Sequence, residues 1–197
     1  MYYKSNEEEF FNFYRRVAEK IRPKIYIGVL GGGTQHIFFL KYSRITILID
    51  LNLKQIEYIK DYRDKDCSYI SEKHSKYPIF PEYVYQICLK YGDVLKLTSE
   101  EELINADIWK IPVRKADLIY LSNVPDYLLD KFYRRREYQE GIKTLVKKLE
   151  ELLEISNYIL FVNMYTHLWF LYSKLQRILE RKYKVVRYKD AYVVGKT

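Results

Sequence analysis

Four of the chain's seven glycines, Gly28, Gly31, Gly32 and Gly33, fall within six positions, and the apolar run 44–50, "RITILID", ends in Asp50 seventeen residues after Gly33. Glycine lets a strand-to-helix turn tighten or take positive φ, and lets a ligand approach the backbone. The helix that follows offers free N–H groups at its start. An acid closing the next strand can accept hydrogen bonds from both hydroxyls of a ribose, and the expected offset is about twenty residues. Gly31, Gly32, Gly33 and Asp50 therefore have the types and spacing of a nucleotide site.

Two ligand classes suit such a site, a dinucleotide or S-adenosylmethionine. The dinucleotide fingerprint G-x-G-x-x-G, counted from Gly31, needs glycine at 36, where His36 stands. That third glycine permits close helix–strand packing, so its absence argues against a nicotinamide-dependent oxidoreductase.

The elements that must position these residues follow from periodicity. Apolar residues Phe10, Phe13, Tyr14, Val17 and Ile21 have helical spacing, so a helix is expected over 6–22, stopped by Pro23. Strands are expected at 24–30, 44–50, 92–97, 116–124 and 158–163. Helices are expected at 34–42, 52–61, 80–91, 98–106 (opened by the capping pattern "TSEEEL"), 137–155 and 166–182. Two β runs across Lys189-Asp190 in 184–196 predict a hairpin. Alternating strands and helices imply an α/β, doubly wound fold. The expectation is one domain over 1–197, with a mostly parallel seven-stranded sheet, helices on both faces and a C-terminal antiparallel hairpin.

Bulk properties narrow the classes. The 197 residues suit one domain, and 48% hydrophobic with 30% charged residues describes a globular chain. The formal net charge of +8 suits an anionic partner. Cys67 and Cys88 match no zinc spacing and are too few for a disulfide framework, so a reducing cytoplasm is expected. The charged N-terminus lacks the apolar core of a secretory leader, and no run approaches the roughly 18 apolar residues of a membrane span.

"YIGVLGGGTQHIFFL" (26–40) and "ITILIDLN" (45–52) resemble the first and second motifs of the class I S-adenosylmethionine-dependent methyltransferase fold. "GGGTQHIFFL", "DLNLKQIEYI" and "LSNVPDYL" most closely resemble the BtaA-like diacylglyceryl-homoserine synthase family. That family uses the same donor for its 3-amino-3-carboxypropyl group. The resemblance covers roughly 24–60 and 116–129. It implies that Gly31, Gly32 and Gly33 contact the methionine portion and ribose through backbone, and that Asp50 binds the ribose hydroxyls. It also implies that Leu51 packs on the adenine, that Asp93 lies near the adenine amino group, and that Ser122 and Asn123 flank the reacting centre.

"LSNVPDYL" (121–128) differs from the [DN]-P-P-[YF] tetrad of base amino-methyltransferases, because Val124 separates Asn123 from Pro125. Pro125 suits a helix start. Tyr127 either packs or stacks on a substrate, and Asp126 is the nearest candidate base if a hydroxyl is the acceptor. In "DKFYRRREY" (130–138), Arg134, Arg135 and Arg136 interleave with aromatics. That pattern suits a solvated face, a nucleic acid or an anionic lipid headgroup. Asp64-Lys65-Asp66 lies in a polar stretch, unlike a glycosyltransferase metal motif, and His36, His74 and His167 are isolated, so no metal site is expected.

The leading expectation is an S-adenosylmethionine-dependent transferase moving a methyl or aminocarboxypropyl group. The competing one is a catalytically silent module of the same fold that binds nucleic acid or a protein partner.

Overall fold

A computed structural model describes residues 3–29, 38–39, 42–50, 100–110 and 113–196. Helix α1 (Tyr3–Ile21) leads into β1 (Ile25–Val29), and β2 (Ile45–Asp50), β3 (Glu100–Asn105) and β4 (Ala116–Leu121) follow. Helices α2 (Val124–Arg134) and α3 (Tyr138–Ile155) precede β5 (Ser156–Val162). Helix α4 (Trp169–Leu179) and the hairpin β6 (Lys184–Tyr188) and β7 (Ala191–Gly195) close the chain. Short 3-10 turns occur at Ile108–Lys110 and Thr166–Leu168.

Among the described residues, seven strands form one sheet in the order β3-β2-β1-β4-β5-β7-β6. Strands β1 to β5 pair in parallel, and β7 runs antiparallel between β5 and β6. The central register sets Ile27 beside Ile47 and Ile119, with Ile119 beside Ile159. This is the expected doubly wound, mostly parallel sheet with a terminal hairpin. The order reverses between β1 and β4, which opens a crevice at their carboxyl ends.

Alternation along each strand builds two cores. Ile27, Ile49, Ile119, Leu121, Ile159 and Phe161 face α2, α3 and α4, whose Leu129, Leu145, Leu149, Leu171 and Leu175 are buried there. Tyr26, Leu48, Leu118, Tyr120, Leu160 and Val162 face the other way, onto Tyr14 and Ala18 of α1 and onto Phe39. Side-chain period 2 in strands meeting period 3.6 in helices makes both layers possible. At the amino end, the Asp117 carboxylate accepts hydrogen bonds from the Lys24 and Ile25 N–H groups (2.8 and 2.9 Å) and from Asn157 Nδ2 (3.2 Å). One side chain thus joins the starts of β1, β4 and β5.

Two expectations change. Residues 98–106 are not a helix: Glu100–Asn105 is β3, paired residue for residue with Ile45–Asp50. The pattern that mimics a helix cap is local, and pairing with β2 overrides it. In 166–182, a 3-10 turn precedes α4, and the α-helix ends at Leu179. Of 34–42, the described Phe38 and Phe39 are helical. The expected helices at 52–61 and 80–91, the strand at 92–97 and both cysteines lie outside the described residues. Among the described residues, no helix is long and apolar enough to cross a membrane.

Helices α2 and α3 meet at Gly141, where an added Cβ would lie 2.8 Å from Phe132 Cβ. That atom sits next to the backbone and cannot swing aside. Overpacking costs about 1–3 kcal/mol, against a helix-propensity gain of about 1 kcal/mol for alanine over glycine. Gly141→Ala should therefore lower stability in urea denaturation, and an unchanged or raised midpoint would show that the helices part freely.

Candidate active site

The site assembles at the carboxyl ends of β1, β2, β4 and β5. Asp50 is the last residue of β2, paired with Asn105 at the end of β3. Gly31, Gly32, Gly33, Leu51 and Asp93 lie outside the described residues. Ser122 follows β4 and is buried. Its side chain hydrogen-bonds the Tyr120 phenol, which also bonds to Tyr14 of α1. Burial pushes the Tyr120 phenol up to about 12, with the two hydrogen bonds partly offsetting it. A buried hydroxyl chain thus runs from α1 to the end of β4.

Asn123 is the N-cap of α2, with φ 58° and ψ −6°. The left-handed region is costly for most residues, and Asn tolerates it. It lets the chain turn sharply from β4 into α2, whose first turn contains Pro125 and Asp126. Pro there suits a helix start, its missing N–H being one of the unpaired set.

Asp126 occupies a position unlike that of a solvent-facing base. It is wholly buried. Its Oδ2 accepts from the Met164 N–H at 3.0 Å and its Oδ1 from the Tyr172 hydroxyl at 2.9 Å. Burial raises its pKa above the ordinary carboxylate value, and the hydrogen bonds from Met164, Tyr172 and the Tyr165 backbone act in the opposite direction. Burial, reinforced by the Asp126 carboxylate, also raises the Tyr172 phenol, which stays a donor. Asp126 therefore clamps the start of α2 to the segment after β5 and to α4.

Tyr127, its neighbour, is 64% exposed and meets Tyr165 edge to face at 6.0 Å. Arg134, Arg135 and Arg136 are exposed around the end of α2 and the turn into α3. Arg134 pairs with Asp130 at 2.7 Å, and Arg136 has φ 60°. Glu137 and Glu140 follow directly, so acids accompany this basic run.

Sequence patterning does not single out the segment after β5, "NMYTHLWF" (163–170). Asn163 is buried, and its Oδ1 has no hydrogen-bond partner among the described residues. His167, isolated in sequence, lies with Nε2 3.0 Å from Asp130 Oδ1 and its ring 4.9 Å from that of Tyr133. Its hydrogen bond is the first cause of the lowered Asp130 pKa. The available signal is positional, since every carboxyl strand end in such a sheet borders the crevice. Among the described residues, no cluster of three or more His, Cys, Asp or Glu could hold a metal ion.

Comparison with solved structures defines the class by fold. Over 98% of this chain and 97% of the other, the chain is similar to the N-methyltransferase NodS from Bradyrhizobium japonicum WM9 (TM-score 0.54, 12% identity). It is similar to an rRNA methylase from Escherichia coli over 96% of this chain and 64% of the other (TM-score 0.56, 8% identity). It is also similar to the magnesium protoporphyrin IX methyltransferase ChlM from Synechocystis PCC 6803, solved with bound SAH, over 97% and 84% (TM-score 0.53, 10% identity). The architecture is thus the Rossmann-like methyltransferase fold. No family model and no curated protein matches the chain, and nothing in these comparisons singles out the BtaA-like family.

The clamp gives a paired prediction. Asp126→Ala should cost about 2–4 kcal/mol, because two buried donors are left without an acceptor, whereas Asp126→Asn keeps an acceptor for Met164 and should be tolerated at neutral pH. The raised pKa means that the folded state takes up a proton before the unfolded state does. Wild type should therefore gain stability relative to Asp126→Asn as pH falls through the raised pKa toward the ordinary carboxylate range. Urea midpoints across that interval test this, and parallel pH profiles would contradict it.

Proposed function

We propose that the protein is a methyltransferase using S-adenosylmethionine. The supporting observation is the strand order β3-β2-β1-β4-β5-β7-β6 with β7 antiparallel, joined to a glycine cluster after β1 and an acid at the end of β2. The residues present suit this donor. Gly31, Gly32 and Gly33 supply backbone donors, Asp50 an acceptor pair for the ribose, and Leu51 and Asp93 the adenine surroundings. The orphaned Oδ1 of buried Asn163 offers a further acceptor at the same edge.

The bound donor supplies an activated carbon: an acceptor lone pair forms a bond to the methyl carbon, and the S–CH3 electrons return to sulfur to leave S-adenosylhomocysteine. The protein's task is to align the two reactants, which alone can supply most of the acceleration. Ser122 and Asn123 border the position where they meet. Tyr127 lines the acceptor side, and the His167–Asp130 pair takes the proton released by a protonated acceptor. Asp126 acts through the elements it holds and is a positioning residue. Methyl is the group proposed because the solved structures of similar fold named above are methyltransferases. The BtaA-like resemblance rests on short stretches.

Calorimetric titration should show binding of both S-adenosylmethionine and S-adenosylhomocysteine, and no binding of NAD. Asp50→Ala should weaken both by roughly ten- to a hundredfold, the worth of hydrogen bonds to a charged group at about 1.5–3 kcal/mol. Failure of the wild type to bind either ligand would refute the reading and leave a silent module of this fold.

A further inference from the structure

The three most exposed large hydrophobic side chains among the described residues are Trp169 at 65%, Tyr127 at 64% and Met164 at 60%. Tyr127 and Met164 are brought together through Asp126, and Trp169 opens α4 five residues after Met164. Met164 and Trp169 lie in the segment after β5, whose Met164 N–H is held by Asp126, the residue before Tyr127. Apolar side chains gathered at a predicted reacting edge mark a binding surface more than a packing accident.

The charge of the molecule is concentrated beside them. Between residues 169 and 190 stand seven Lys and Arg against two acids. On α4, Leu171, Tyr172, Leu175 and Leu179 are buried. Lys174 and Arg177, and Arg181 just beyond the helix, are exposed. Their spacing of three and four residues puts them in one row on the solvent side. None of the three pairs with a carboxylate among the described residues. Lys174 lies about 7.5 Å along the axis and about 140° around it from Trp169, at 1.5 Å rise and 3.6 residues per turn. In the Arg134–Arg136 run, Arg134 pairs with Asp130, and Glu137 and Glu140 follow in sequence.

We infer that this surface binds a single-stranded polynucleotide, with bases stacked on Trp169 and Tyr127 beside Met164 and phosphates held by Lys174, Arg177 and Arg181. The inference names the acceptor class of the methyltransferase proposed above and rests on that reading. Flat exposed rings beside a cationic track are the two parts that sequence-tolerant single-strand binding needs. A duplex keeps its base faces stacked inside and cannot use the rings. An acidic protein surface would use the cations and leave the rings idle.

The test is fluorescence anisotropy of a labelled mixed-sequence single strand, as RNA and as DNA, against the full chain, with the matching duplex and phosphatidylserine vesicles as competitors. Single strand should bind best, and its log affinity should fall linearly with log salt. Lys174→Gln with Arg177→Gln should reduce that slope by about 1.4, at about 0.7 for each phosphate that the two cations no longer neutralise. Trp169→Ala should weaken binding by about tenfold or more, with little change in slope. Single strand should quench tryptophan emission in Trp109→Phe but not in Trp169→Phe. Absence of single-strand binding at low salt, equal binding of the duplex, vesicles outcompeting the strand, or variants that bind like wild type would each overturn the inference. If S-adenosylmethionine still binds in that case, the methyltransferase reading survives alone. Strand binding without donor binding would instead remove the acceptor role together with the enzyme.

Discussion

A single buried carboxylate fixes how the start of α2, the segment after β5 and α4 meet. Asp126 lies in the first turn of α2 and accepts from the Met164 backbone and the Tyr172 hydroxyl, so it ties three chain segments that the sheet alone would leave independent. Burying that charge is unfavourable, as the direction of its pKa shift records, and it persists because strong donors converge on it. The consequence is directional. With Asp126 turned inward, the next residue on the helix, Tyr127, turns outward beside Tyr165. The chain after β5 is then led along α2 until His167 reaches Asp130.

The sheet supplies the other half of the geometry. Strands β1 and β4 are neighbours although about ninety residues separate them, and in a doubly wound sheet the connections leaving two such strands run to opposite faces. The connection that carries the glycine cluster in sequence leaves β1 at this divide, and Ser122 follows β4 there. A ligand placed there would have β2 and Asp50 on one side and α2 with the segment after β5 on the other. In the proposed methyltransferase, topology would set the donor and acceptor regions before any side chain is chosen. This is why one architecture accommodates an N-methyltransferase, an rRNA methylase and a porphyrin methyltransferase among the structures it resembles.

Much of this was legible in the sequence, for physical reasons that also explain the gaps. Strands β1, β2, β4 and β5 are short apolar runs because both their faces are covered, and such runs stand out between amphipathic helices. The hairpin announced itself through two β runs around Lys189-Asp190. Strand β3 did not. It is the terminal strand of the sheet, where charge is an ordinary defence against edge pairing, and "TSEEEL" satisfies a helix-cap pattern locally. Only its pairing with β2, some fifty residues earlier in the chain, decides its state. At the site, Asn123, Asp126 and Tyr127 could be placed because they follow a recognisable strand. The inward turn of Asp126 could not, since its partner Tyr172 is 46 residues away. Nor could the pairing of His167 with Asp130, 37 residues apart.

The same limit applies to charge. Arg134, Arg135 and Arg136 are adjacent in sequence and conspicuous. Adjacent residues on or near a helix end point in different directions, and here Arg134 is paired with Asp130. Lys174, Arg177 and Arg181 are dispersed in sequence but aligned in space, because helical periodicity gathers positions three and four apart. The proposed anionic strand would meet the spatial row and not the sequence run. The exposed indole of Trp169 lies in the first turn of α4, roughly 80–140° around the helix from that row, while Tyr172 in the same turn reaches inward to Asp126. One helical turn therefore couples the buried clamp to the surface where a long acceptor would lie.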